Sequence, residues 1–307
     1  MLVIQAGFSD GGHLSQYGNH MRNFPCRLTA VSLVLAVTVG CTPTVSEEKP
    51  ISAGVSVQSI ETDGRTRTFR VFRPAKLPAS APLVIVLHGW GFTAEQIERD
   101  YGWKGFAERH GFVVVHPEGV GLSWNAAGDC CGPAADSDVD DVAFITAMVA
   151  RLKRALPIDD RRVYAAGMSN GGVLAYALAC RTSLFAAIGV VAGTQVGGCE
   201  HPRPTSVIHV HGLADSIVRF DGGRAVVPGA QPVRKVMAYW RHVNQCEKPE
   251  QSRRGPVITS KAACRDDREV TLVTIDDEGH FWPGRAGSVA PWDTTAELWK
   301  SFGRHSL

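Results

Sequence analysis

Ser169, Asp215 and His280 are the residues whose types and order could carry out acyl transfer. A serine hydroxyl is a weak nucleophile and needs an adjacent base, which in turn needs an orienting acid. Ser169 lies in "GMSNG", Gly167 to Gly171, between the hydrophobic run "RRVYAAG" and the helical pattern that follows. A G-x-S-x-G pattern at a strand-to-helix corner sets a serine above a sheet, with small neighbours on a strained turn. The helix N-terminus beneath it favours developing negative charge. The bland alternative is a tight strand–helix turn in a protein without catalysis.

In this arrangement an Asp or Glu and then a His follow the serine along the chain. The histidines after Ser169 are His201, His209, His211, His242, His280 and His305. His280 stands in the glycine-flanked "DDEGHFWPG", directly after the strand-like "EVTLVTID", where a base would reach over the sheet edge. His209 and His211 fall inside a strand, so at least one reads as a satisfied core histidine. As a metal pair they lack a third ligand. His242 and His305 read as exposed helical residues. For the acid, Asp215 lies just past "VIHVHG", whereas Asp221 precedes Gly222-Gly223 and suits a turn. Asp276, Asp277 and Glu278 crowd His280 along one loop, and such neighbours rarely aim at the same ring. Asp215 is therefore the expected acid. The oxyanion donors are expected to be the backbone N–H groups of Asn170 and Trp90, with Gly91 as the alternate for Trp90. No metal or organic cofactor is implied.

These residues need a sheet to position them. "TRTFRVFRP" (66–74) alternates at period two, as an antiparallel strand with one wet face does. "PLVIVLHG" (82–89) and "GFVVVHPEG" (111–119) are continuous β-branched runs, as strands buried on both faces require. "TAEQIERDYGWKGFAERH" between them reads as helix. In "DVDDVAFITAMVARLKRAL", Val142, Ile145, Met148, Val149 and Leu152 fall at helical spacing, with acids first and bases last. The strands "RRVYAAG", "FAAIGVVAG", "TSVIHVHG" and "EVTLVTID" follow, and Thr294 and Glu297 fit a capping box for a last helix. The alternation predicts an α/β fold: one mostly parallel central sheet with helices on both faces, in a single domain over 58–307.

The chain has 307 residues and a formal net charge of +2. That charge, with no basic run interleaved with aromatics, argues against nucleic acid as a partner. Residues 28–40, "LTAVSLVLAVTVG", follow Arg22 and Arg27 and read as a signal-peptide core. Met21 is the expected start, leaving 1–20 as an upstream-start artefact, 21–41 as signal and 42–57 as a tether. Cys41 after Gly40 fits a lipoprotein signal, although Thr38 departs from its usual aliphatic residue. Secretion and anchoring outside the membrane through Cys41 both remain open. Apart from Cys26 and Cys41, the cysteines are Cys130, Cys131, Cys180, Cys199, Cys246 and Cys264, an even count that suits disulfides in an exported chain. Cys246 and Cys264 flank a polar insertion and are the expected pair. Adjacent cysteines are not expected to bridge each other.

"LHGW", "WNAAGDCCGPAADSDVDDVAFI", "GMSNGG", "HGLADSIVRFDGG" and "GHFWPG" occur in that order. Together they resemble the exported polyhydroxybutyrate-depolymerase-like and feruloyl-esterase-like branch of the α/β-hydrolases, lipoprotein esterases among them, from about 58 to 303. The resemblance implies a Ser169–Asp215–His280 triad that hydrolyses carboxylic esters. It further implies that Trp124, Asn125 and Trp282 line the cleft, with loop packing the competing role for Asn125. Asp140 and Asp141, in the family's "VDDV" stretch, read as helix-start carboxylates. Depolymerases of solid polyester commonly carry an added binding module, so the expected partners are small or oligomeric esters, hydroxycinnamoyl esters or short hydroxyalkanoates. An acyltransferase with the same triad and a non-catalytic binder on the same scaffold are the alternatives.

Overall fold

The computed structural model describes residues 50–126, 130–222, 227, 229–285, 287–288 and 290–307. The start artefact, signal segment, Cys41 and most of the tether lie outside these residues. Lys49–Leu307 is one compact unit.

Among the described residues ten strands form one sheet: β1 (Gly54–Thr62), β2 (Arg65–Arg73), β3 (Ala81–Leu87), β4 (Val113–Pro117), β5 (Ile158–Met168), β6 (Ala187–Val191), β7 (Ser206–Gly212), β8 (Glu250–Arg254), β9 (Val257–Ala263) and β10 (Glu269–Ile275). Their order is β1-β2-β4-β3-β5-β6-β7-β10-β9-β8. The central six, β4-β3-β5-β6-β7-β10, run parallel. The pairs at both edges are antiparallel. β3, β4, β6, β7 and β10 are buried along their whole length, which is why they read as unbroken apolar runs. The edge strand β8, "EQSRR", is exposed throughout, and its charged side chains discourage pairing with another chain.

The helices are α1 (Ala94–Asp100), α2 (Trp103–His110), α3 (Pro133–Asp136), α4 (Asp141–Ala155), α5 (Asn170–Arg181), α6 (Val233–Val243) and α7 (Thr294–Phe302). Helices α4, α5 and α6 share one apolar cluster with the first face of the sheet, built on Leu83, Ile85, Phe144, Met148, Leu174 and Met237. Helices α1, α2 and α7 share the other with Val84, Val86, Ile97, Trp103, Leu298 and Phe302. The expected two-faced α/β sheet is therefore present.

Several local expectations need correction. The tether was expected to reach residue 57, but Gly54 already pairs with Arg73 and opens β1. The stretch 93–110 is two helices, because the chain turns at Gly102 with φ of 75°. The cap of α7 is Asp293, whose side chain accepts from Ala296 N, one residue before the expected Thr294. The "polar insertion" between Cys246 and Cys264 is the β8–β9 hairpin, which extends the sheet. Those two cysteines are bridged as expected, and Cys180 is bridged to Cys199. Cys130 is joined to its neighbour Cys131, against expectation. His305 is buried just after α7 and not exposed on a helix.

Candidate active site

The six parallel strands place their carboxyl ends on one edge of the sheet, where open α/β sheets present their ligand sites. Ser169 follows β5, His88 to Trp90 follow β3, Asp215 follows β7 and His280 follows β10.

Ser169 sits at φ 54° and ψ −122°, a positive-φ conformation unusual for a residue with a side chain. The glycines around it are sterically required. A Cβ on Gly167 would collide with Gly171 O, and one on Gly171 would lie 2.5 Å from both Leu87 O and His88 O. Strand β5, helix α5 and the end of β3 thus pack backbone against backbone, and the corner stays tight. Helix α5 begins at Asn170, so its free N-terminal N–H groups gather beside the Ser169 hydroxyl.

His280 Nδ1 lies 2.7 Å from Asp215 Oδ2. The other carboxylate oxygen, Oδ1, accepts the backbone N–H groups of Ile217 and Val218, each at 2.9 Å. Burial works to raise the Asp215 carboxyl, but the hydrogen bond and charge of His280, the Val218 amide and His211 outweigh it. The net position is below the ordinary carboxylate value. The two loops are stitched together by Leu213 N to Ile275 O (2.9 Å) and Ala214 N to Glu278 O (3.0 Å). Asp221 is exposed on a turn facing Arg234. Asp276 pairs with Arg253, and Glu278 accepts from Ser288 and Ala290. Among the described residues no hydrogen bond joins Ser169 Oγ to His280, a contact that often tightens only once substrate is bound.

On the opposite flank, Gly91 N–H is already donated to Leu122 O at 2.9 Å. Among the described residues the N–H groups of Trp90 and Asn170 donate to no protein acceptor, leaving them free for an oxyanion. The Asn170 carboxamide is clamped to the Trp124 backbone: Oδ1 accepts Trp124 N–H at 2.7 Å, and Nδ2 donates to Trp124 O at 2.9 Å. His88 ties the loop that carries Trp90 to the loop after β4. Burial lowers it to about 4 despite its bond to Gly89, so the ring is neutral. Nδ1–H then donates to Gly89 O, and Nε2 accepts Gly119 N–H, both at 2.9 Å.

The expected cleft residues behave differently. The Trp124 side chain is fully enclosed, with its indole N–H on His88 O at 2.8 Å, so it packs against the loop that follows β3 and does not line an open cleft. Trp282 is also buried, stacked 4.2 Å from Tyr101 and bonded to Thr295. Asn125 donates its carboxamide to Val139 O, which is loop packing. Trp90 remains half exposed at 52%, with Phe92, Leu122, Leu213, Ile217 and Phe281 exposed on the same edge. No group of His, Cys, Asp and Glu suited to a metal occurs among the described residues.

Asp140 caps α4 through Ala143 N, as a helix-start carboxylate should. Asp141 does more: it is fully buried, 2.7 Å from the buried Arg67, and accepts Asn125 N–H. Burial raises its carboxyl by more than Arg67 lowers it. Arg67 also reaches Glu118 O and lies over the Phe144 ring. The pair therefore braces the loop that carries Trp124, to which the Asn170 carboxamide is bonded. The sequence held a signal for it: the period-two pattern of β2 puts Arg67 on the inward side with Phe69 and Val71, and a buried guanidinium demands a buried carboxylate.

The model of the family described as "Esterase PHB depolymerase" matches residues 71–224. The chain is 32% identical over 267 residues to "Putative esterase NocK" of Nocardia uniformis subsp. tsuyamanensis, covering 78% of this chain and 77% of that protein. It is 26% identical over 288 residues to "Probable feruloyl esterase C" of Aspergillus niger, covering 88% and 95%. Among solved structures, the acetyl xylan esterase from Aspergillus awamori superposes with a TM-score of 0.59 at 16% identity, over 81% of this chain and 99% of that one. That likeness reports the α/β-hydrolase fold.

Proposed function

Since this chain belongs to the PHB depolymerase esterase family and is a carboxylic ester hydrolase, we propose that Ser169, His280 and Asp215 perform its chemistry. The observation that carries the proposal is the 2.7 Å His280–Asp215 hydrogen bond on the same sheet edge as the strained Ser169. His280 takes the Ser169 proton as the hydroxyl attacks the ester carbonyl. The oxyanion rests on the N–H groups of Trp90 and Asn170. His280 then protonates the leaving alcohol, and Asp215 holds its tautomer and stabilises the imidazolium. Water, activated by His280, releases the acid from Ser169.

The exposed apolar residues at the mouth, Trp90, Phe92 and Leu122 on one flank and Leu213, Ile217 and Phe281 on the other, support an apolar or aromatic acyl group. Together with the likeness to the probable feruloyl esterase C of Aspergillus niger, they favour hydroxycinnamoyl esters over hydroxybutyrate oligomers. The three bridged cysteine pairs support an oxidising, extracytoplasmic location, secreted or anchored through Cys41.

Release of ferulate from methyl ferulate, beside hydroxybutyrate from soluble oligomers, tests the proposal with Ser169→Ala as control. Preferential ferulate release, abolished in the variant, is expected. Equal rates in variant and parent would remove Ser169 from the mechanism. Preference for the oligomers would overturn the acyl assignment, and transfer to an added sugar faster than hydrolysis would make the enzyme an acyltransferase.

A further inference from the structure

His209 and His211 lie two apart on β7, so both project from the same face of the sheet, and both are buried. They form a continuous chain of hydrogen bonds. Tyr176 Oη is 2.7 Å from His209 Nδ1, His209 Nε2 is 3.0 Å from His211 Nδ1, and His211 Nε2 is 2.8 Å from Val218 O.

The direction of this chain follows from its last link. A carbonyl oxygen only accepts, so His211 Nε2 carries a proton. Burial, and for His209 the neighbouring His211, hold both rings below the ordinary histidine value, and they are neutral. His211 Nδ1 is then an acceptor, and His209 Nε2–H must donate to it. His209 Nδ1 is an acceptor in turn, and the Tyr176 hydroxyl donates to it. Every polar atom in the run is satisfied in one arrangement only.

Its two ends are the informative part. Tyr176 belongs to α5, the helix that starts directly after Ser169. Val218, at the other end, donates its own N–H to Asp215 Oδ1. His211 Nε2 also stands 3.6 Å from Asp215 Oδ2, the oxygen that receives His280. Apart from Asp215 and His280, the charged or titratable neighbour of His211 is His209, and the Phe220 ring covers its remaining side. An apolar pair would fill these positions without the cost of burying two imidazoles.

We propose that His209 and His211 are positioning residues that lock the Asp215–Val218 turn to the nucleophile's helix and keep Asp215 Oδ2 aimed at His280. The proposal rests on the Ser169–Asp215–His280 reading above.

His211→Gln and His211→Asn test it, because a glutamine amide reaches the Nε2 position and can still donate to Val218 O, whereas asparagine falls short. The expected result is kcat within about threefold of parent for glutamine, and a loss of roughly thirtyfold at unchanged KM for asparagine. The low-field proton resonance of the His280–Asp215 hydrogen bond should persist in the first and broaden or move in the second. His211→Phe takes the place of the asparagine variant if that one does not fold. Equal kcat in all variants, with the resonance intact, would overturn the proposal. Failure of the glutamine variant to fold would overturn it as well, since the pair would then be holding the core and not the carboxylate. Asp215→Asn, assayed alongside, separates the two readings. Parent-like activity there removes the triad itself, whereas an inactive Asp215→Asn with active His211 variants removes only the positioning role.

Discussion

The two flanks of Ser169 are held in different ways. On the side proposed to hold the oxyanion, the groups assigned to it are the backbone N–H groups of Trp90 and Asn170, and backbone can be aimed only by fixing the chain that carries it. Glycine contacts too close for a Cβ, the Asn170–Trp124 clamp and the buried Arg67–Asp141 pair do this. On the side proposed for acid–base work, the groups assigned to it are the side chains of Asp215 and His280, with tautomers and lone pairs to be set. There the devices are directional: two amides on Asp215 Oδ1, and the histidine chain that ends at Val218. Damage on the first flank should therefore cost stability together with rate. Damage on the second should cost rate alone.

The largest separation is expected from Asp215→Asn. Loss of the carboxylate that orients His280 should lower kcat about 10⁴-fold with the melting temperature nearly unchanged. A large fall in melting temperature would erase the contrast between the flanks. Arg67→Met should lower stability as well as rate. It leaves Asp141 buried without its counter-charge, a loss of about 3–5 kcal/mol in denaturant unfolding, and the double variant Arg67→Met/Asp141→Leu should recover much of it. A neutral Arg67→Met would show that the pair is not a brace.

Asn170→Ala keeps the oxyanion N–H but removes both bonds to Trp124, so kcat should fall about 10²-fold through misplacement of that donor. Retained kcat would mean that the helix end alone aims it. The smallest effect is expected far from both flanks, at His116. Both of its ring nitrogens lack a hydrogen-bond partner among the described residues, and burial lowers it to about 3, with Glu98, Arg70 and Lys104 as its charged neighbours. Between its unfolded value near 6.5 and that folded value, the unfolded chain binds the extra proton. Stability should then drop by about 1.4 kcal/mol per unit of falling pH from this residue. His116→Phe should flatten the pH slope of the unfolding free energy, read from urea titrations between pH 6.5 and 4, by that amount and leave hydrolysis intact. An unchanged slope would contradict a neutral His116 in the folded chain.

The parallel centre was legible because burial on both faces writes itself as unbroken apolar runs, and strand ends then place Ser169, Asp215 and His280 on one edge. The edge hairpin β8–β9 was not. Its first strand is exposed throughout, so "EQSRR" carries no periodic apolar signal. Trp124 and Trp282 were expected at the cleft because the family resemblance implied it. Burial went the other way, since each indole N–H finds an internal acceptor in His88 O or Thr295 Oγ1. The α7 cap missed by one residue because Asp293 and Thr294 both qualify as caps by type, and only geometry chooses between them. The histidine chain was half visible: a strand pattern marks His209 and His211 as core, but their partners, Tyr176 and Val218, come from elsewhere in the chain.

The most direct test of the Ser169 assignment is peptide-level mass spectrometry after reaction with an activated phosphonate ester, which captures a nucleophile in a tetrahedral adduct. The expected result is one adduct, on the peptide carrying Ser169, formed far more slowly in His280→Ala. An adduct on another residue, or equal labelling rates in parent and His280→Ala, would contradict a serine nucleophile activated by His280.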